Sequence, residues 1–277
     1  GIRGATAERS SNITLMEDGI LIAPAPYSNP AAYYFPTFKR MSSLEVLKGA
    51  PLLRYGPQTT GGVINLISTP IPDEQKGYVE AVTNERGSTD VHATYGDTNG
   101  DWGYLVETVQ RSAQGFKDID RSNRNSGFDI SDYVGKLRWQ GERQSVTAKL
   151  QYSEETSNST YVGLTDADFN QDPNRRYGLS SLDQMDNTHS GVSLTHQFEW
   201  SDNVSSTTTL YRNDFKRNWY KLSGAGNIIG QANAGDANAQ GILDGTIDAS
   251  GLEYKNNARD YLSQGVQTNF DVNIGNH

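Results

Sequence analysis

The chain has 277 residues, of which 35% are hydrophobic, with a mean hydropathy of −0.67, a formal net charge of −9 and no cysteine. A soluble domain of this size is usually more apolar. The acidic balance excludes nucleic acid as a partner, because phosphate neutralisation needs basic surface. No apolar run reaches the roughly 18–20 residues of a membrane helix, so any membrane span must be built from strands.

The absence of cysteine fits exposure to an oxidising compartment such as the periplasm. The chain opens on Gly1-Ile2-Arg3-Gly4 without a methionine or a leader and closes on a strand-like run, so an internal piece of a longer protein is expected. The segment Val46 to Thr69 is the most structured by its residues alone. Val46-Leu47 ends a short strand, Gly49 and Pro51 break it, and Leu52 to Tyr55 allow one helical turn before Gly56-Pro57. Gly61-Gly62 then gives a tight path into a second β-rich run, Val63 to Ile67. The glycines invite a phosphate-loop reading, but no Gly-Lys-Ser/Thr follows and no long helix does. A rigid strand–turn–strand unit is expected.

From about residue 77 onward, strand-length segments alternate oily and wet. Val146, Ala148, Leu150 and Tyr152 interleave with Thr147, Lys149, Gln151 and Ser153, and Leu262, Val266, Phe270, Val272 and Ile274 oppose Ser263, Gln267, Asn269, Asp271 and Asn273. Runs of ten residues or more with this pattern are the signature of a transmembrane β-barrel, whereas soluble sandwiches use strands of about five or six. Strands are placed near 77–84, 88–97, 101–112, 128–140, 144–154, 187–200, 204–217 and 260–275. The links at 97–100, 141–143 and 201–203 are short, those at 113–127, 155–186 and 218–259 are long, and only the first hairpin, at Glu85-Arg86-Gly87, breaks the alternation by being short. Short turns alternating with long loops distinguish the periplasmic from the extracellular side of outer-membrane barrels. Trp102, Trp139, Trp200, Trp219 and Tyr220 suit interfacial girdles. The seventh strand is less regular, since Leu210, Tyr211 and Phe215 do not share one face.

The run from Val46 to Thr69 closely resembles the end of the plug domain in TonB-dependent outer-membrane receptors. Within them the likeness is to ferric citrate-type receptors. Gly1-Ile2-Arg3-Gly4 looks like a plug strand, and Leu15-Met16-Glu17-Asp18-Gly19-Ile20 is similar to the strand–turn–strand with an Asp-Gly turn. Pro24-Ala25-Pro26-Tyr27-Ser28-Asn29-Pro30 resembles the apical loop that faces outside. Arg54-Tyr55-Gly56-Pro57-Gln58 followed by Gly61-Gly62-Val63 is close to the ferric citrate form, Ile71-Pro72 extends the likeness, and Gly163 to Phe169 resembles part of a long extracellular loop. The likeness is dense over residues 1–77 and thinner afterwards.

The resemblance implies an all-β dominated fold: a transmembrane antiparallel β-barrel, with about 8 of its 22 strands here, preceded by part of a mixed α/β plug. Residues 1–76 would be the C-terminal part of the plug and 77–277 the N-terminal portion of the barrel. It also implies a transporter in the bacterial outer membrane for a ferric chelate, ferric citrate or a related siderophore. The partners would be that chelate, TonB outside this stretch, and outer-membrane lipid and lipopolysaccharide. Cofactors are none, since iron arrives only within the transported chelate. The rivals are the same fold importing a catecholate or hydroxamate siderophore, cobalamin or a sugar, a soluble all-β binding protein, and a barrel enzyme.

For the ligand site, the prolines of the apical loop preset its backbone, and Tyr27, Ser28 and Asn29 offer hydroxyl and amide groups to chelate oxygens. An anionic chelate calls for guanidinium groups. Arg121, Arg124, Arg175, Arg176, Arg212, Lys216, Arg217 and Lys221 lie toward the extracellular side, and Arg175, Arg176 and Arg212 are the preferred barrel-side contacts. Asp166, Asp168, Asn170 and Asp172 hint at a calcium loop, but Gln171 and Tyr177 stand where an EF-hand needs Gly and Glu, so a capped turn is expected. His92, His189 and His196 show no metal spacing, and no catalytic constellation is visible. No enzyme is expected.

Overall fold

Period-two alternation in long runs becomes long antiparallel strands. The computed structural model describes residues 13–22, 34–49, 55 and 61–275. In chain order the first strands are β1 (Ile13–Glu17), β2 (Ile20–Leu21), β3 (Met41–Leu47), preceded by a 3-10 turn at Phe38–Arg40, and β4 (Gly62–Ser68). They form a four-stranded mixed sheet in the order β2-β1-β4-β3, with β1 parallel to β4. β3 and β4 pair antiparallel from Leu47↔Val63 to Met41↔Ser68, so the described parts of Val46–Thr69 form the expected strand pair. The β1–β2 turn places Asp18 and Gly19 at positive φ, 51° and 77°. This is the Asp-Gly signature of a tight two-residue hairpin turn.

The long strands follow as β5 (Lys76–Thr83), β6 (Ser88–Asn99), β7 (Trp102–Ala113), then the short β8 (Asp118–Ile119), β9 (Phe128–Gln140) and β10 (Gln144–Ser157). After them come helix α1 (Asp166–Gln171), the short β11 (Arg175–Arg176), β12 (Gln184–Ser201), β13 (Val204–Ser223), helices α2 (Ala225–Asn233) and α3 (Ala237–Asp244), and β14 (Glu253–Val272). Among the described residues, β5, β6, β7, β9, β10, β12, β13 and β14 pair antiparallel, each with its chain neighbours, in one eight-stranded sheet with two open edges. All eight expected strands are present. No described helix is long and apolar enough to cross a membrane.

The four-stranded sheet packs against one face of the eight-stranded sheet and thereby defines the inner face. Leu15, Ile22, Tyr34 and Leu66 bury together with Phe215 of β13, and full burial of such side chains stabilises by about 1.5–3 kcal/mol each. Asn213 Nδ2 donates to Leu21 O at 3.4 Å and Gln267 Nε2 to Gly19 O at 3.0 Å. Odd-numbered residues of β13 and β14 therefore face inward. The irregular seventh strand is explained by this contact. Tyr211 and Phe215 point into the plug side, Leu210 points out, and the inner row is apolar where the wall touches the plug. Outward, Val79, Val106, Leu137, Leu150, Val192, Leu194, Leu210, Val266 and Phe270 form an exposed oily band.

The link between the two sheets lies close on the inner wall. A side chain at Gly96 would meet Tyr104 O at 2.6 Å and Pro72 at 2.7 Å, so only glycine admits this approach. Thr98 Oγ1 donates to Pro72 O at 2.6 Å. Trp102 and Trp139 are cross-strand partners beside a short turn, and Trp200 stands next to another. Trp219, by contrast, shares the inward row with Phe215 and is not part of an outer girdle.

Candidate functional site

The inner surface is held by ionised groups that the residues' spacing did not reveal. Arg40 is fully buried and donates through Nη1 and Nη2 to Glu17 at 2.5 and 3.0 Å, and through Nε to Asp132 of β9 at 2.7 Å. Lys149 of β10 donates to Glu17 and, at 2.7 Å, to Asp18. Lys136 of β9 donates to Ser68 Oγ and Thr69 O, both at 2.6 Å. Three cations thus meet three carboxylates across the plug–wall boundary. Burial opposes ionisation of Glu17, but Arg40 and Lys149 outweigh it and hold its carboxyl down at about 2. Asp18 is likewise held well below the usual carboxylate range, with burial overcome by Lys149 and Lys136. A polar cavity of about 590 Å³ lies beside this network, lined by Asp18, Lys136, Lys149, Thr195, Thr209 and Gln267.

On the side of the long connections, a smaller cavity of about 200 Å³ opens between Tyr34, Arg111, Ser153, Glu155, His189 and Phe215. His189 stacks on Tyr34 with ring centroids 4.0 Å apart. The apical residues Tyr27, Ser28 and Asn29 lie outside the described residues.

The three long connections are tied together by one guanidinium. Arg175 donates through Nε to both oxygens of Asp120 at 3.2 and 3.0 Å, through Nη1 to Asp168 at 2.7 Å and through Nη2 to Asp244 at 2.7 Å. Asp120 lies in the first long connection, Asp168 in the second and Asp244 in the third. Tyr177 Oη donates to Asp168 at 2.6 Å and Gln240 Nε2 at 3.0 Å. Hydrogen bonding from Asp120, against some burial, raises Arg175 further above its ordinary value. Burial raises Asp168, but hydrogen bonds from Tyr177, Gln240 and Thr165 together with Arg175 lower it overall. β8 and β11 pair in parallel beneath this knot. Thr165 caps α1 by accepting from Asp168 N, so the Asp-rich segment is a capped helix.

The sequence-selected arginines therefore separate. Arg175 is bonded to three carboxylates and clamps the loops together. Arg176 donates to Pro173 O at 2.9 Å and to Arg175 O at 2.5 Å, so part of its donor set is used within its own turn. Arg212 lies apart from the other two. It sits on the even-numbered outward row of β13, beside Leu210, and donates to Asp214 at 2.7 and 3.0 Å. The inward row of the same strand carries Arg217 and Lys221 instead. Parity alone separates them: Arg217 is two residues from the plug-facing Phe215, and Arg212 is two from the outward-facing Leu210.

A four-stranded sheet docked on one face of a long-stranded antiparallel wall has the architecture of part of a plugged transmembrane β-barrel. No protein-family model matches the chain. It is 26% identical over 231 residues to the probable TonB-dependent siderophore receptor PirA of Acinetobacter baumannii, a match covering 74% of this chain and 29% of that protein. Its fold is similar to that of the ferric citrate transporter FecA in the unliganded form, with a TM-score of 0.67 at 22% identity, over 81% of this chain and 34% of that one. It is also similar to the ferric-catecholate import receptor Fiu from E. coli K12, with a TM-score of 0.67 at 13% identity, over 96% and 40%. The ferric yersiniabactin uptake receptor FyuA from Yersinia pestis gives a TM-score of 0.63 at 18% identity, over 77% and 33%. The chain spans well under half the length of each of these proteins. These relatives are transporters or receptors, not enzymes.

Proposed function

We propose that the chain belongs to an importer that binds a ferric chelate between plug apex and barrel loops and passes it inward, driven by TonB. Residues 1–76 are taken as plug and 77–277 as barrel wall. Ferric citrate is the first ligand to test, with a catecholate siderophore second. The observation that carries the reading is the neutralised buried network of Arg40, Glu17, Asp132 and Lys149. Such a network seals a plug to its wall through bonds that can exchange, which suits a removable stopper better than an oily core would. The catecholate alternative rests on the edge-on pair of Tyr161 and Trp219, with ring centroids 5.2 Å apart, since flat aromatic ligands favour ring partners. Tyr27, Ser28 and Asn29 remain the proposed plug contacts.

The test is equilibrium binding to the detergent-purified receptor that carries this chain. Ferric citrate is compared with iron-free citrate, a ferric catecholate and a ferric hydroxamate. Retention of ferric citrate alone supports the specific ligand. Retention of another ferric chelate keeps the importer and replaces citrate. Retention of none of them rejects the ferric-chelate reading.

A further inference from the structure

Two ammonium groups face each other on the inner wall at the depth of the bilayer. Lys136 of β9 stands directly opposite Lys149 of β10. Their chain neighbours Leu137 and Leu150 point outward in the oily band, so the pair lies within the hydrocarbon span. Like charges directly opposite on one face destabilise a strand pair. Ionisable groups at this depth are costly and mark the paths of substrates and ions.

Among the described residues, each hydrogen-bond acceptor of these two groups belongs to the four-stranded sheet or to its exit. Lys149 donates to Glu17, to Asp18 at 2.7 Å and to Ser68 Oγ at 3.3 Å. Lys136 donates to Ser68 Oγ and to Thr69 O, both at 2.6 Å. Asp18 in turn accepts from Ser68 N at 2.9 Å and from Ser68 Oγ at 2.5 Å, so it moves with β4. The inward carboxylates of β7 and β9 are placed elsewhere. Glu107 is bonded to His92 at 2.7 Å and to Thr69 at 2.8 Å. Asp132 lies four residues nearer the long connections than Lys136, about 13 Å along the strand. A shift of the sheet therefore strips both ammonium groups at once and leaves a positive pair on the wall.

Beneath the pair, toward the short turns, lies the polar cavity of about 590 Å³. Its roof is the Asp18-Gly19 turn, where Gln267 Nε2 donates to Gly19 O at 3.0 Å. Its wall carries hydroxyls and amides, among them Thr195, Thr209, Gln197 and Asn269, with Asp271 at the far end. Such groups bond oxygens without holding a charge in place.

We infer that Lys136 and Lys149 form an interior anion subsite, masked at rest by Glu17 and Asp18, that receives an anionic, oxygen-rich chelate once the sheet has shifted. The chelate's own oxygens take the bonds that the sheet's carboxylates give up, and the cavity below receives it next. An anion that binds only the shifted state raises the population of that state. This rests on the importer reading above and adds to it a stop inside the wall, separate from the outer contacts.

The experiment uses cells carrying the full receptor and three iron-labelled chelates: ferric citrate, an anionic ferric catecholate and a neutral ferric hydroxamate. Binding is read with the energy supply collapsed by a protonophore, and uptake with it intact. Lys136→Gln is the first variant, because the acceptors of Lys136 are neutral and Asp18 keeps Lys149. Lys136→Arg retains the charge. Asn269→Asp adds a carboxylate to the cavity at constant size, apart from the network. Binding of the anionic chelate is expected within twofold of the parent in all three. Uptake is expected to fall roughly tenfold in Lys136→Gln, as for a lost charge-assisted hydrogen bond. It should also fall in Asn269→Asp and stay near the parent in Lys136→Arg. Parent-like uptake in Lys136→Gln overturns the subsite and leaves the importer standing. So does a loss of binding that matches the loss of uptake, or a Lys136→Arg variant as slow as Lys136→Gln. Where Lys136→Gln does not reach the surface folded, Asn269→Asp decides, and parent-like uptake there overturns the subsite. A receptor that takes only the neutral hydroxamate also overturns it. Failure of all three chelates to bind overturns the importer reading, and the subsite falls with it.

Discussion

Arg40 and Asp132 meet at 2.7 Å across the boundary between plug and wall, and each side chain is 1% exposed. Arg40 also holds Glu17, which in turn holds Lys149. The four groups come from two sheets that share no backbone pairing, so the network registers one sheet on the other.

Breaking this network on one side is expected to be severe. Asp132→Ala leaves the buried Arg40 short of a carboxylate and should cost about 3–5 kcal/mol. Replacing the whole buried set by neutral groups, Arg40→Met with Asp132→Leu and Glu17→Gln, should cost less than leaving Arg40 unpaired, because charge and partners go together. Calorimetric unfolding of the detergent-purified receptor checks both. An Asp132→Ala variant as stable as the parent would show that this contact does not register the plug.

Acid should loosen the same boundary. Glu17 has an ordinary value of 4.5 and is held at about 2 in the folded protein. A depressed carboxyl stabilises above its unfolded value, and that contribution is lost as pH falls through the folded one. The loss therefore runs from about pH 4.5 to about pH 2, and totals on the order of 3 kcal/mol for a shift of this size. Glu17→Gln should lower stability at neutral pH and flatten this part of the profile. Unfolding midpoints measured between pH 2 and pH 7 test it, and an unflattened profile would assign the acid sensitivity to other groups.

The Arg175 clamp is expected to act on loops, not on the wall. Arg175 is 25% exposed on its side chain, so solvent screening reduces each pair, and Arg175→Ala should cost only about 1–2 kcal/mol locally. The expected result is faster hydrogen exchange at 114–127, 158–183 and 224–252 with little change in global unfolding. Lys should not rescue it, because one ammonium lacks the planar fork that reaches three carboxylates. Unchanged exchange in these segments would show that the loops are held by the apolar cluster of Val162, Tyr177, Leu222 and Leu243.

The wall was legible because alternation and link length are local signals. Val146 to Tyr152 declare their outward row within seven residues, and the turn at 141–143 declares its side. The site was less legible because its residues are brought together by pairing across distant strands. Arg217 and Arg259 become neighbours only once the β13–β14 register is known. Arg175 looked available in the sequence, since its carboxylates Asp120 and Asp244 lie 55 and 69 residues away. The inward row of β13 also misled, since Tyr211 and Phe215 are apolar where the wall meets the plug and so disguise its wet face.

Arg212 gives the sharpest check on that parity. It shares its strand and its charge with Arg217, five residues on, but stands on the opposite face, half exposed and paired with Asp214. Exposed pairs of this kind contribute about 0–1 kcal/mol. Arg212→Gln should therefore leave unfolding and chelate affinity within about twofold of the parent, which corresponds to less than 0.5 kcal/mol. A large loss at Arg212 would mean that even-numbered residues of β13 line the lumen, and the assignment of inner and outer faces would have to be reversed.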